Sequence, residues 1–278
     1  MHDRPLPLGA LLPALLLFAG VFHWGLVGAT VGASDDTAPD AGRTQQMAHQ
    51  EAAFVVQGDE LIGSVTHEAE AMWDRFVELV PPEHRATVGR FSVFGDDDKD
   101  AYVEQLHDDV TKWHLALNED LATRRHLLDR TLVHELGHLV SFDPEQVPPV
   151  ATDRAWYLAS RECHTYMARE GCSSVGSYMN EFVSEFWEGE LLDEWQQIAA
   201  IGDDERRMSE IQAFATSHNE RFVSEYAGTN PEEDLAESFA AYVLGNDVPS
   251  EGTVGDRISF FTRFPELVTL RETIRDNR

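Results

Sequence analysis

The tightest constraint on the fold is a pair of histidines four residues apart, in His134-Glu135-Leu136-Gly137-His138, with no proline between Pro82 and Pro144. Leu121, Leu128, Leu132, Leu136 and Leu139 run through the same stretch. Apolar residues at that spacing predict a helix, started by Asn118 or Asp120 as its cap and continuing to about Val140. Residues four apart on a helix share a face, so both imidazoles aim at one point. Two such imidazoles suit a zinc ion. Glu135, offset by one residue, then lies beside the water that the ion holds, where a carboxylate acts as general base. Two surface histidines on an amphipathic helix would give the same five letters, so the pattern needs a third ligand to carry weight.

One known spacing would place that ligand as a histidine six residues after His138, but Pro144 stands there and Asp143 is one residue out of register. The ligand is therefore expected further along. The segment from Phe222 to Ala240 contains Tyr226-Ala227-Gly228-Thr229-Asn230-Pro231-Glu232-Glu233-Asp234-Leu235-Ala236-Glu237-Ser238-Phe239. Pro231 marks a helix start with Thr229 or Asn230 as cap, and Leu235, Phe239 and Tyr242 form its apolar stripe. Acids in a first turn complement the helix dipole, which makes Glu232 and Asp234 readable as solvated groups. Glu233 and Glu237 are less easily explained so. Four residues apart, they repel each other unless a cation lies between them.

These two segments together resemble the zinc peptidases related to anthrax lethal factor and the bacterial Pro-Pro endopeptidases, a group of zincins with a glutamate as third ligand. The resemblance rests on about 10 residues around the first motif and about 20 around the second. It implies that His134, His138 and Glu233 bind one zinc ion and that Glu135 is the base. It further implies that Tyr226, seven residues before Glu233, stabilises the oxyanion, and that Glu237 orients a ligand histidine. The spacer from His138 to Glu233 is longer than the family leads one to expect, and its insert, at about 145–216, resembles uncharacterised secreted bacterial zinc metallopeptidases. The expected fold is α+β: zincin-like, mostly helical, with a small sheet beside the histidine helix.

Elsewhere, Ala69, Met72, Trp73, Phe76, Val77 and Val80 predict a helix over 64–80, stopped by Pro81-Pro82. Arg90–Phe94, closed by Gly95 and the acidic turn Asp96-Asp97-Asp98, and the alternating run from Trp113 to Asn118 predict strands. From the end of the histidine helix to Thr216 the chain reads as nearly all helical. His114, on a predicted strand, and His164, beside Cys163, are weaker site candidates. Tyr178, Phe182, Phe186 and Trp187 read as helix core rather than a substrate groove.

From Pro5 to Ala33 no charged residue interrupts a run rich in Leu, Ala, Val and Gly, and Val31-Gly32-Ala33 offers the small residues of a cleavage site. The run is also long enough to anchor the chain in a bilayer. Residues 1–33 are thus a signal peptide or a membrane anchor, 34–50 a flexible linker, and 51–278 the folded domain. Both readings of the N-terminus place the domain outside the cell, where Cys163 and Cys172 most simply form a disulfide. Two free thiols or a Cys-Cys-His zinc site are the alternatives. Fifty acidic residues against 21 basic ones give a net charge of −29, and only Lys99 and Lys112 are lysines. A field of that sign repels nucleic acid phosphates and argues against nucleic acid as a partner; a protein or peptide substrate is what the motif and the resemblance imply. Acid-rich, lysine-poor surfaces resemble those of halophilic proteins, whose self-repulsion concentrated salt screens; a secreted protein that is merely acidic is the other reading. The chemistry expected is hydrolysis of peptide bonds, with a catalytically silent zinc-binding surface protein as the rival.

Overall fold

The computed structural model describes residues 52–95, 99–245 and 251–278. The expected signal or anchor segment, the linker and the turn Asp96-Asp97-Asp98 lie outside the described residues. The described residues open with β1 (Ala52–Gln57) and β2 (Glu60–Ile62), an antiparallel hairpin turning at Gly58, whose φ of 62° an L side chain rarely adopts. Then follows α1 (His67–Leu79), capped by Thr66, whose hydroxyl accepts from the Ala69 N–H at 3.2 Å. Pro81 ends it and opens the single turn α2 (Pro82–Arg85).

Three further strands, β3 (Val88–Phe94), β4 (Ala101–Gln105) and β5 (Trp113–Asn118), complete a mixed sheet in the order β2-β1-β3-β5-β4. β3 and β5 are parallel, and β4 is an antiparallel edge. Phe91, Trp113, Leu115 and Leu117 are fully buried, and the Trp73 ring packs 5.4 Å from that of Phe91, so α1 covers one face of the sheet. Burial of each such side chain stabilises the fold by roughly 1.5–3 kcal/mol.

The histidine helix is α3 (Arg125–Ser141), shorter at its start than its leucine spacing predicts. Asn118 does cap, but its side chain accepts from the Asp120 N–H and closes a separate 3-10 turn, Glu119–Thr123. That tight turn swings the chain off the end of β5 before α3 begins. At the other end, Asp143 accepts from the Glu145 N–H at 3.0 Å and turns the chain away.

The expectation of nearly continuous helix up to Thr216 is corrected. α4 (Asp153–Glu162), α5 (Tyr178–Phe186), α6 (Glu190–Ala199) and α7 (Asp204–Ser217) are present, but 142–152 and 163–177 are irregular. A Cβ at Gly171 would collide with the Pro148 carbonyl oxygen, so this loop packs too closely on the preceding chain to be helical. Cys163 and Cys172 are joined by a disulfide that staples it, which removes both alternatives for these cysteines.

After α7 the chain reaches α8 (Pro231–Leu244), capped by Asn230, then α9 (Gly252–Ser259) and α10 (Pro265–Asp276). Phe182, Trp187, Phe239, Tyr242, Phe260 and Phe261 are buried together, so the aromatic run of the insert is core, as its spacing predicts. α8 lies against α3 at Gly137, where an added Cβ would stand 3.1 Å from the Ala236 Cα. The fold is thus α+β, mostly helical with a small sheet. Among the described residues no helix is long and apolar enough to cross a membrane.

Candidate metal centre

His134 and His138 stand one turn apart on α3, and Glu233 enters from the first turn of α8. His134 Nε2 lies 3.2 Å from His138 Nε2, and Glu233 Oε2 lies 3.1 Å from the first and 3.3 Å from the second. Three donors on a tetrahedral ion with bonds of ~2.0–2.1 Å are spaced about 3.3 Å apart. The triangle therefore matches three corners of such a tetrahedron. Glu233 Oε2 is buried, yet no hydrogen bond of acceptable geometry reaches it. Such an atom is costly unless a cation satisfies it. Burial would raise the Glu233 carboxyl, but the His138 and His134 imidazoles hold it well below the usual carboxylate range. This set of two imidazole nitrogens and one carboxylate oxygen fits a borderline ion such as zinc, and it is the one group of three metal-capable side chains among the described residues.

Glu237, one turn further along α8, sits behind His134. Its Oε1 accepts from His134 Nδ1 at 2.9 Å, while Oε2 accepts from Arg130 Nη2 at 2.9 Å and Ser224 Oγ at 2.7 Å. In the neutral ring the acceptor at Nδ1 selects the Nδ1–H tautomer, with the Nε2 lone pair facing the centre. Burial opposes ionisation of Glu237, but the hydrogen bond from His134, then the charges of His134 and Arg130, hold it at about 2.

Glu135 is 4% exposed. Burial raises its carboxyl, and the two imidazoles only partly offset that. A carboxyl of raised pKa is better suited to accept a proton near neutrality than an ordinary one. The Tyr226 ring lies 5.9 Å from that of His134. Burial, then the charges of Glu233 and Glu135, push its phenol well above the usual tyrosine range, so it remains an O–H donor.

The other candidates lie apart from this cluster. His114, on β5, makes hydrogen bonds with Ser92 Oγ at 2.8 Å and with Glu104 Oε1 at 3.3 Å, within the sheet. His164 is exposed on the stapled loop.

Two acids differ from their sequence reading as solvated first-turn groups. Asp234 is fully buried, with Arg257 Nε at 2.8 Å and Trp187 Nε1 at 2.9 Å from its Oδ2. Even so, burial outweighs these partners and pushes its carboxyl to about 6. Glu232 is half-buried and accepts from the Tyr166 hydroxyl at 2.8 Å; burial pushes it up to about 7. Tyr166 belongs to the stapled loop, as does Glu170, whose carboxyl burial raises and on which the charge of His138 acts. The insert thus touches the first turn of α8 beside Glu233. A run of three acids after Asn-Pro was the sole local signal for Glu232 and Asp234, and it matches a solvated turn equally well.

No protein-family model, no curated protein and no solved structure matches the chain.

Proposed function

We propose that the chain is a zinc-dependent endopeptidase that hydrolyses protein or peptide substrates outside the cell. The observation that carries this reading is the convergence of His134 Nε2, His138 Nε2 and Glu233 Oε2 at tetrahedral spacing, with the last buried and reached by no hydrogen bond of acceptable geometry. Zinc held there would act as a Lewis acid and lower the pKa of a bound water towards ~7. Glu135 would take a proton from the attacking water as its oxygen bonds the carbonyl carbon, and pass that proton to the leaving amine nitrogen as the C–N bond breaks. Tyr226 donates its O–H to the oxygen on which negative charge develops. Glu237, braced by Arg130 and Ser224, holds the His134 ring in its metal-facing tautomer.

This reading keeps the resemblance to zincins with a glutamate third ligand as a proposal about ancestry and fold family. The apolar segment 5–33 supports export, either by cleavage or as a tether, and the disulfide between Cys163 and Cys172 suits an oxidising compartment. The net charge of −29 supports a salt-rich setting and argues against nucleic acid partners. A silent zinc-binding protein on the same fold needs neither the buried Glu135 nor the protonated Tyr226, so the hydrolase is preferred.

Purified protein should carry about one zinc per chain and, in molar salt, cleave a peptide library in a chelator-sensitive manner. Glu135→Gln should keep the metal and lose turnover by about 10²–10⁴-fold. A Glu135→Gln protein as active as the original would sink the mechanism.

A further inference from the structure

The first turn of α8 presents three carboxylates in succession, Glu232, Glu233 and Asp234, about 100° apart around the helix axis. Each meets a different partner. Glu233 faces the imidazoles. On one side of it, Glu232 Oε1 accepts from the Tyr166 hydroxyl at 2.8 Å. On the other, Asp234 accepts from Arg257 Nε at 2.8 Å, Trp187 Nε1 at 2.9 Å and Ser238 Oγ at 3.3 Å. The Asn230 side chain fixes the start of the turn by accepting from the Glu233 N–H at 2.8 Å.

Both outer partners are themselves held. Arg257 is fully buried, lies over the Phe186 and Phe222 rings at 4.8 and 5.1 Å, and reaches the Phe186 carbonyl at 3.4 Å. Tyr166 is tied by its N–H to Asn180 Oδ1 at 3.2 Å and by its carbonyl to the Ser173 N–H at 2.9 Å. Ser173 directly follows Cys172, so the disulfide closes the loop that carries Tyr166. A rotation of roughly 10° moves a carboxylate at the ~5–6 Å outer radius of a helix by about 1 Å. Metal–ligand distances tolerate only about 0.2 Å. An unbraced first turn would therefore smear the ligand over several positions.

We propose that Tyr166 and Arg257 are positioning residues for the metal ligand Glu233. They clamp the carboxylates on either side of it, and the Cys163–Cys172 disulfide holds the Tyr166 arm. The proposal rests on the zinc reading of the site. It makes the stapled insert part of the metal centre rather than an ornament on it.

The test is zinc affinity by chelator competition, together with the melting temperature of the metal-free protein and the visible spectrum of the cobalt-loaded protein. Tyr166→Phe removes one hydroxyl and keeps the ring. It should weaken zinc binding about 10- to 100-fold, the usual range for a group supporting a ligand, while the metal-free melting temperature falls by no more than a few degrees. The cobalt bands should shift, since they report ligand geometry. Cys163→Ser with Cys172→Ser should give a similar loss, and adding Tyr166→Phe should then change little, because both act through one contact. Arg257→Lys should recover part of the affinity that Arg257→Met loses. Zinc affinity and cobalt spectra unchanged in Tyr166→Phe and in the cysteine variant would overturn the clamp while leaving the zinc site intact. A wild-type chain that binds no zinc at all would overturn the site reading and the clamp with it.

Discussion

Helix α3 carries two donor atoms one turn apart, and the leucines that seat it belong to the same short stretch of chain. Helix α8 carries one donor, and what seats it comes from afar: Tyr166 from the stapled loop, Trp187 from the end of α5, and Arg257 from α9. α3 also has such a remote partner, Arg75, which donates to the buried Asp129 at 2.6 and 2.9 Å; otherwise the difference is between a position set mainly by periodic burial and one set mainly by polar contacts. Burial is non-directional and tolerates small shifts. Hydrogen-bonded charges in a dry interior are directional, and they lose most when one partner is taken away. The centre thus joins a helix whose apolar pattern repeats within one stretch of chain to one whose carboxylates meet several polar partners remote in sequence.

The sharpest break of this contrast is Arg257→Met. It leaves Asp234 buried beside Trp187 without its cation, which should cost about 3–5 kcal/mol in denaturant unfolding. Arg125→Met, at the exposed start of α3, removes only a surface pair with Glu78 and should change stability by about 1 kcal/mol or less. Equal losses in the two variants would erase the distinction.

The next largest effect separates the two glutamates of α8. Glu233→Ala should purify without metal, whereas Glu237→Ala should keep zinc with affinity or turnover about 10- to 100-fold lower. Metal analysis of both variants decides; the reverse pattern would move the ligand to Glu237.

A smaller effect concerns pH. In the metal-free protein the contacts with Glu233 and Glu237 outweigh burial and raise His134 well above 6.5, while Glu237 is held at about 2. The raised histidine contributes stability that is complete below its unfolded value and lost as pH rises through its folded one. The depressed carboxylate contributes stability present above its unfolded value of 4.5 and lost as pH falls towards 2. The pair therefore supports the metal-free fold most between these unfolded values. Zinc needs the neutral imidazole, so binding near neutrality should release protons, and apparent affinity should rise with pH. Calorimetry in buffers of different ionisation enthalpy measures that release; none at pH 7 would contradict it.

The mildest probe is salt. With 29 excess negative charges, the melting temperature should climb from 0.1 to about 3 M sodium chloride as repulsion is screened. A flat or falling curve would remove the halophilic reading.

How much of this could be read beforehand follows the same division. α3 was legible because its period repeats within one stretch, and β5 because it alternates. β4 was not, since all five of its residues stay partly or largely exposed and no alternation marks them. β1 reads as an unbroken apolar run, and β2 is only three residues long. Glu233 was reached through the resemblance, by its place seven residues after Tyr226; geometry now brings it to the imidazoles. The environments of Glu232 and Asp234 were invisible. Nothing local marks Tyr166 or Arg257 as their partners, and acids at a helix start suit water equally well. The irregular loop was misread as helix because its apolar content gives no hint that Gly171 presses on Pro148.

The contact of Gly137 with Ala236 has a consequence for how the protein comes into being. These residues meet across about a hundred positions of chain, so the entropy of closing a long loop precedes any meeting of all three donors. A chain emerging from the ribosome presents His134 and His138 well before Glu233 exists. Until the C-terminal part docks, it holds two donors and no closed centre. Assembly of the three-donor centre is thereby tied to the docking of α8 on α3.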